Sequence, residues 1–343
     1  MPIRYRTQRN RLNANGTKMG SKKTPDGYAP PPLKSKGFGI VGDREANKNP
    51  KSNKVRIICA ASGLVFQELM EMIAFSMDEI SLLKKGHKFS EISIVDELDV
   101  GKGSVPVSNY KVDYNFVIKA FRNWYPMNLK YGKKILFQTE ECWNNREQGH
   151  YRSDLLSGFD RILEMYDENV KLKQTEIVRY CPVGYSPVFE KNLPIVTEDI
   201  DVLFHGSLTV RRKGFESALR TAGFNCVFSD KLYGIEREKM IMRSKVVLNI
   251  KAHPKWSYGP LHCLPTQCQK KFMLAEKANG GYGPFVPGRH LSEYNGMDDC
   301  LEKVDYWISH EKERKEFSIN AYETMKKECK FTEIFLKAME GMI

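Results

Sequence analysis

A chain of 343 residues, 41% hydrophobic and 11% aromatic, is long for one core and carries enough apolar side chain for two domains of ordinary size. No run reaches the roughly 18 apolar residues that a membrane span needs, and the N-terminus lacks the apolar centre of a secretory signal, so the expected location is the cytoplasm. The formal charge of +12 is concentrated at one end: residues 1–54 hold thirteen Lys and Arg against three Asp and Glu, and the remainder is nearly neutral.

Residues 1–53 read as a basic arm. Arg4, Arg6, Arg9, Arg11, Lys22 and Lys23 stand among Asn, Gly and the Ala29-Pro30-Pro31-Pro32 run with no apolar period, the composition of a flexible or surface-draped extension. Such charge neutralises the phosphates of a polyanion such as DNA without sequence preference. The plainer reading is a tail that aids solubility or binds RNA or a partner non-specifically.

The first domain is expected over residues 54–195. Arg56 to Ala60 is a buried-strand run, Ala61-Ser62-Gly63 its turn, and Leu64 to Leu83 carries Val65, Leu69, Ile73, Met77 and Ile80 at helical spacing. Further strands are expected at Glu91–Val95, Tyr114–Ile118, Lys134–Gln138, Ile162–Tyr166 and Glu176–Tyr180. Cys181-Pro182-Val183-Gly184-Tyr185-Ser186-Pro187 and the polar stretch after it mark a linker.

A second domain is expected over residues 196–343. Val202-Leu203-Phe204 is a short apolar strand that breaks at His205-Gly206-Ser207, passes the basic cluster Arg211-Arg212-Lys213 and enters a helix ending at Ala222-Gly223. Strands at Asn225–Phe228 and Lys245–Ile250 follow, and helices at Asp299–Ser309, Glu311–Cys329 and Phe331–Met339 close the chain. The whole is an α/β chain: two Rossmann-like, doubly wound domains facing across a cleft, with a basic N-terminal extension.

Eight cysteines are dispersed, several in apolar strands where a reduced, buried thiol is the ordinary state. His262-Cys263 and Cys268 come nearest to metal-ligand spacing, but no second CxxC accompanies them, and no metal site is expected.

The βαβ turn at Gly206 has the chemistry of a diphosphate seat. Glycine lets the backbone come close, the helix N-terminus offers free N–H groups, and Arg211 and Arg212 present bidentate forks. Cations on that first turn oppose the helix dipole unless an anion compensates them. Against this stands the fact that any doubly wound sheet has glycine at such turns and exposed basic residues beside them. In the loop Lys251 to Gly259, His253 or Lys255 can meet phosphate while Trp256 or Tyr258 stacks on a base or sugar; alternatively the aromatics plug into their own domain.

The order of these features resembles the GT-B class of glycosyltransferases, particularly the bacterial and bacteriophage group related to spore-maturation glycosyltransferases. The resemblance rests on Ile135-Leu136-Phe137-Gln138-Thr139-Glu140, on Tyr166-Asp167 ahead of Tyr180-Cys181-Pro182-Val183-Gly184-Tyr185, and on Asp201 to Ser207 with Arg211-Arg212. It continues through Ser244 to Ile250, Ala278-Asn279-Gly280 and Ala321-Tyr322, covering roughly residues 54–340. It implies a nucleotide diphosphate sugar as co-substrate, held mainly by the second domain, with an acceptor held mainly by the first and no cofactor required. Gly206, Ser207, Arg211 and Arg212 fall where the family approaches the diphosphate, and the loop with Lys251 and His253 where it meets nucleotide and sugar. Many relatives carry an Arg and a Glu early in the helix before the Ala-x-Gly turn; here Lys270 or Lys271 would supply the charge and Glu276 would bind ribose.

Preorganised Arg, Lys and backbone N–H groups assist departure of a diphosphate without a metal. An inverting enzyme also needs a base for the acceptor hydroxyl, and Glu140 and Glu141 at the end of their strand lead, with Asp96 and Asp99 behind them. The arm and the family together suggest a hydroxylated pyrimidine in DNA as acceptor. Two other readings stay open: the same chemistry on a cell-envelope glycan or protein, and a non-catalytic nucleic-acid-binding or virion protein on a transferase scaffold. The oligomeric state is not readable from the sequence.

Overall fold

Continuous apolar runs such as Ile135-Leu136-Phe137 bury both faces of a strand, which requires cover on each side of the sheet and favours parallel pairing. The structure, a computed structural model, describes residues 52–59, 63–83, 88–96, 111–118, 129–141, 158–172, 175–255, 257–278 and 281–343. The basic arm with Arg4, Arg6, Arg9, Arg11, Lys22 and Lys23 lies outside the described residues, as do Asp99 and Trp256.

The first sheet holds β1 (Ser52–Cys59), β2 (Lys88–Asp96), β3 (Tyr114–Ile118), β4 (Lys133–Gln138), β5 (Arg161–Glu164) and β6 (Val178–Tyr180). Their order is β2-β1-β3-β4-β5-β6, and every pairing is parallel. Alternate residues feed different cores: Ile57, Phe116, Ile135, Phe137 and Leu163 point to one, and Ile58, Val117, Leu136 and Ile162 to the other. Helix α1 (Gly63–Leu83) covers the first of these faces with Leu69, Ile73, Met77 and Ile80, and α2 (Asp167–Leu172) follows β5.

The second sheet holds β7 (Ile200–His205), β8 (Cys226–Ser229), β9 (Ser244–Asn249), β10 (Met273–Glu276) and β11 (Ser292–Tyr294) in the order β11-β10-β9-β7-β8, again all parallel. Helices α3 (Val210–Thr221), α4 (Gly234–Met242), α5 (Pro260–Cys268) and α6 (Met297–Ser309) flank it. Val202, Phe204, Val246, Leu248 and Leu274 form its outer core with Trp307 of α6. Leu203, Val247, Met273 and Ala275, on the other face, join the same apolar cluster as Ile57, Phe116 and Phe137 of the first sheet. The two domains therefore share a continuous core. In each sheet the chain order reverses once, between β1 and β3 and between β7 and β9, and such reversals open a crevice at the carboxyl ends of the strands.

Helices α7 (Glu311–Glu328) and α8 (Phe331–Ala338) end the chain. Helix α8 returns to the first domain: Thr332 Oγ1 lies 3.1 Å from Ser76 Oγ on α1, the Phe335 ring centroid 5.5 Å from that of Phe116, and Arg161 Nη1 donates to Ala338 O at 3.1 Å. The linker passes beneath this crossing, with Tyr185 N donating to Cys329 O at 2.8 Å and Phe331 N to Tyr185 O at 2.9 Å. A Cβ on Gly184 would stand 2.2 Å from the Cys329 carbonyl oxygen, so only glycine fits there.

Candidate functional site

At the crevice between β7 and β9, the backbone turns at Gly206 with φ +138°, a conformation closed to residues with a side chain. The space over Gly206 is bounded by the Phe204 ring and by the His262 imidazole, whose Cε1 lies 3.7 Å from where a Cβ would stand. Ser207 is exposed beside it, and α3 starts three residues later, at Val210, with Thr209 as its cap, the Thr209 hydroxyl accepting from Arg212 N at 3.3 Å.

The two arginines have different duties. Arg212 is buried and turned back onto the sheet, donating to Ile250 O from Nε at 2.9 Å and from Nη2 at 2.7 Å, and to Ser207 O from Nη1 at 2.9 Å. Its guanidinium also sits 5.0 Å over the Phe204 ring. Arg212 thus staples the turn after β7 to the end of β9. Arg211 is only partly covered; it donates to Lys251 O at 2.8 Å and forms a fork with both carboxylate oxygens of Glu276. Arg211 and Arg212 are consequently compensated from within the protein, by carbonyls and Glu276. Lys213 is exposed on the same turn.

Glu276 stands at the carboxyl end of β10, and besides Arg211 it accepts from Lys251 N at 2.9 Å. Lys251 is buried with its ammonium closed onto the carbonyls of Pro254 and Lys277, each at 2.6 Å, which shapes the loop after β9. His253 is exposed and its Nδ1 accepts from Lys255 N at 3.2 Å. Tyr258 is plugged into its own domain, its hydroxyl accepting from Gln267 Nε2 at 3.0 Å and its ring packed on Tyr282.

Lys270 and Lys271 lie at the opposite end of β10 from Glu276. Lys270 Nζ sits 4.4 Å over the Tyr322 ring, and Lys271 pairs with Glu198 and donates to Met242 O at 3.2 Å. The segment read by analogy with a helix is a turn followed by a strand, and the length of that strand separates the two lysines from the crevice. They do not reach the group gathered around Gly206.

Cations surround the two histidines beside Gly206. His205 is held well below the ordinary imidazole range by burial and by Arg237, His262 and Arg212. His262 reaches the surface of the cleft, yet the dense protein around it, Arg212 and Arg237 push its imidazole down to about 4. Both are neutral at pH 7, and each could accept a proton if an anion arrived.

The facing edge belongs to the first domain. Glu140 and Glu141 follow β4, and Glu141 Oε1 accepts from Ser257 N at 2.8 Å, a hydrogen bond that joins the two domains across the cleft. Glu140 is half-buried at the same turn, its carbonyl oxygen accepting from Asn169 Nδ2 at 2.7 Å. Tyr166, just after β5, lies near Glu140, Glu141 and Glu164 of its own domain and Cys263 of the other; burial and those acidic groups raise its phenol well above the usual range. Asp96 ends the edge strand β2, three positions across the sheet from β4. A second tie, Arg237 Nη2 to Glu68 Oε1 at 2.6 Å, links α4 to α1.

His262, Glu164 and Asn169 were not among the site residues expected from the sequence. A histidine on the first turn of a helix opening Gly259-Pro260 offered a weak signal for the first; the other two carried none.

Two Rossmann-like domains whose carboxyl edges face one another make the GT-B fold. Solved structures share it: HepE from Anabaena, in a complex with UDP-glucose, superposes with a TM-score of 0.60 over 84% of this chain and 99% of its own, at 10% identity. A glycosyltransferase from Rickettsia africae gives 0.57 over 85% and 100% at 12% identity. The lipopolysaccharide outer core galactosyltransferase WaaB gives 0.52 over 84% and 100% at 13% identity. No protein-family model matches the sequence, and no curated protein matches it.

Proposed function

We propose that the chain is a glycosyltransferase that takes a sugar from a nucleotide diphosphate sugar and moves it to a hydroxylated pyrimidine in DNA. The observation that carries the donor half is the turn at Gly206, where a side-chain-free backbone, the N-terminus of α3 and the neutral His262 meet at the switch point of the second sheet, with Arg211 on the first turn of that helix. HepE, which shares the fold, was solved with UDP-glucose. That supports a uridine nucleotide as the first donor to try.

In this reading the bond from the sugar's anomeric carbon to the diphosphate oxygen breaks, and the nucleoside diphosphate leaves with the electron pair. The acceptor hydroxyl oxygen bonds to that carbon, and its proton passes to a base of the first domain. Arg211 and the N–H groups of α3 take up the charge that develops on the diphosphate, without a metal. Glu141 is buried and engaged by Ser257 N, so the base is Glu140, with Asp96 behind it. Gly206 and Ser207 approach the diphosphate, Arg212 and Lys251 hold the loops that shape the seat, and Lys213 and His253 lie exposed at its rim.

The basic arm supports DNA as acceptor, since thirteen cations in 54 residues supply salt-sensitive affinity for phosphate. The test is transfer of labelled glucose from UDP-glucose to duplex DNA containing hydroxymethylated pyrimidine, against unmodified DNA and a lipopolysaccharide core acceptor. Label on the modified DNA alone, weakened by deleting residues 1–50, supports the reading. Label on the glycan points to an envelope acceptor, and donor binding with no transfer to any acceptor points to a transferase-like scaffold.

A further inference from the structure

Glu164 ends β5 with no part of its surface exposed. Its Oε1 accepts from Asn169 Nδ2 at 2.9 Å and Tyr166 N at 3.3 Å, whereas Oε2 is buried without a hydrogen-bond partner among the described residues. Gln138, its register partner on β4, points to the same face of the sheet. Gln138 Oε1 accepts from Thr139 N at 3.0 Å, and the other end of that amide, Nε2, is likewise buried and unpartnered. An unused acceptor and an unused donor therefore sit on adjacent strands beneath the turn that carries Glu140 and Glu141. Asn169 completes the link, because the amide nitrogen that holds Glu164 also holds the Glu140 carbonyl.

We propose that Glu164 is a positioning residue: through Asn169 and Gln138 its carboxyl sets the Thr139–Glu141 turn, and with it the Glu141–Ser257 hydrogen bond that joins the two domains.

Burial pushes the Glu164 carboxyl up to about 8, against hydrogen bonds from Asn169 and Tyr166 N that favour the anion. The titratable groups at its own end of the sheet are Tyr166, Glu140 and Glu141, with Tyr180 beside it on β6 and Cys263 of the second domain beyond Tyr166. The same elements also carry cations: Lys133 and Lys134 at the start of β4, Arg161 at the start of β5 and turned to the Ala338 and Glu340 carbonyls, Arg179 next to Tyr180 and on the other face of β6, and Lys171 on α2, exposed and paired with Asp167, beside Glu168. Ionisation puts a negative charge beneath the turn and gives Oε2 a strong claim on the Gln138 amide, which then draws on the turn it caps. The cross-domain bond is consequently strongest below the Glu164 midpoint and weakens above it. Its bearing on sugar transfer rests on the glycosyltransferase reading; its bearing on Ser257 does not.

Amide hydrogen exchange at Ser257 in the full chain, corrected for intrinsic exchange, reads the bond directly between about pH 6 and about pH 9. The protection factor is expected to fall roughly tenfold across that range with a midpoint near 8, to stay at its acid value throughout in Glu164→Gln, and to be low at every pH in Asn169→Ser. A flat profile in the unsubstituted protein, or the same fall in Glu164→Gln, overturns the proposal. If Asn169→Ser does not fold by circular dichroism, the comparison with Glu164→Gln decides alone. Calorimetric titration with uridine, guanosine and adenosine diphosphate sugars on the same samples separates the two readings: no binding of any donor, with Ser257 protection still pH-dependent, refutes the transferase and leaves the positioning role standing.

Discussion

Arg211 and Glu276 close a two-pronged ion pair between the first turn of α3 and the end of β10, with Arg211 Nη1 3.0 Å from Oε2 and Nη2 bonded to Oε1. The carboxylate, 8% exposed at its side chain, is shared with Lys251 N, so one acidic group orders a helix start, a strand end and the loop after β9. Glu276→Ala leaves a buried N–H without its acceptor and a partly covered guanidinium with only the Lys251 carbonyl. A loss of about 2–3 kcal/mol in urea unfolding is expected, and Glu276→Gln should lose less. A loss below about 0.5 kcal/mol would place the pair among ordinary surface ion pairs.

Arg212 and Lys213 are neighbours with opposite expectations. Arg212→Ala abandons the Ile250 and Ser207 carbonyls and empties the space over Phe204, so a stability loss of about 3 kcal/mol is expected. Lys213→Ala, on the exposed side of α3, should change stability by less than about 0.5 kcal/mol. Thermal unfolding of the two variants side by side checks the difference.

The histidines set the response to acid. A folded imidazole at about 4 binds fewer protons than an unfolded one at 6.5, so stability is fully present above 6.5 and falls as pH drops towards 4. His262→Asn should reduce that slope in urea unfolding between pH 6.5 and pH 4, and an unchanged slope would exclude His262 as a contributor. A diphosphate over Gly206 would favour the imidazolium, so binding near pH 5.5 should take up a fraction of a proton. Calorimetry in two buffers of different ionisation enthalpy measures that uptake, which His262→Asn should remove.

Glu164 acts in the other direction. Its folded midpoint of about 8 lies above the ordinary 4.5, so stability is greatest at low pH and is lost as pH rises through 8. Glu164→Gln should be more stable than the unsubstituted protein at pH 9 by about 1–3 kcal/mol, and the gap should close towards pH 5. Urea midpoints at the two pH values decide it.

Much of the fold was legible because β1, β3, β4, β7 and β9 each carry a short apolar run near turn residues, and their ends fall within a few residues of the expected ones. Met273-Leu274-Ala275-Glu276 was harder, since the short apolar run Phe272 to Ala275 has no period that separates strand from helix, and the family pattern biased it towards helix. That misreading carried Lys270 and Lys271 to the wrong end of the element. The Gly206 turn announced itself through glycine and charge, but sequence could not show that Arg212 spends its donors on Ile250 and Ser207. Glu164 gave no signal: its burial comes from packing at the end of β5, and its link to Glu140 passes through a residue on α2.

The central claim is that the second domain seats a nucleoside diphosphate sugar at Gly206 and Arg211. Calorimetric titration of the full chain with UDP-glucose, then with guanosine and adenosine diphosphate sugars, tests it most directly when paired with Arg211→Ala of verified fold. Saturable binding of one donor, weakened at least roughly tenfold in the variant, is the predicted result. No binding of any donor, or equal binding by the variant, would contradict it.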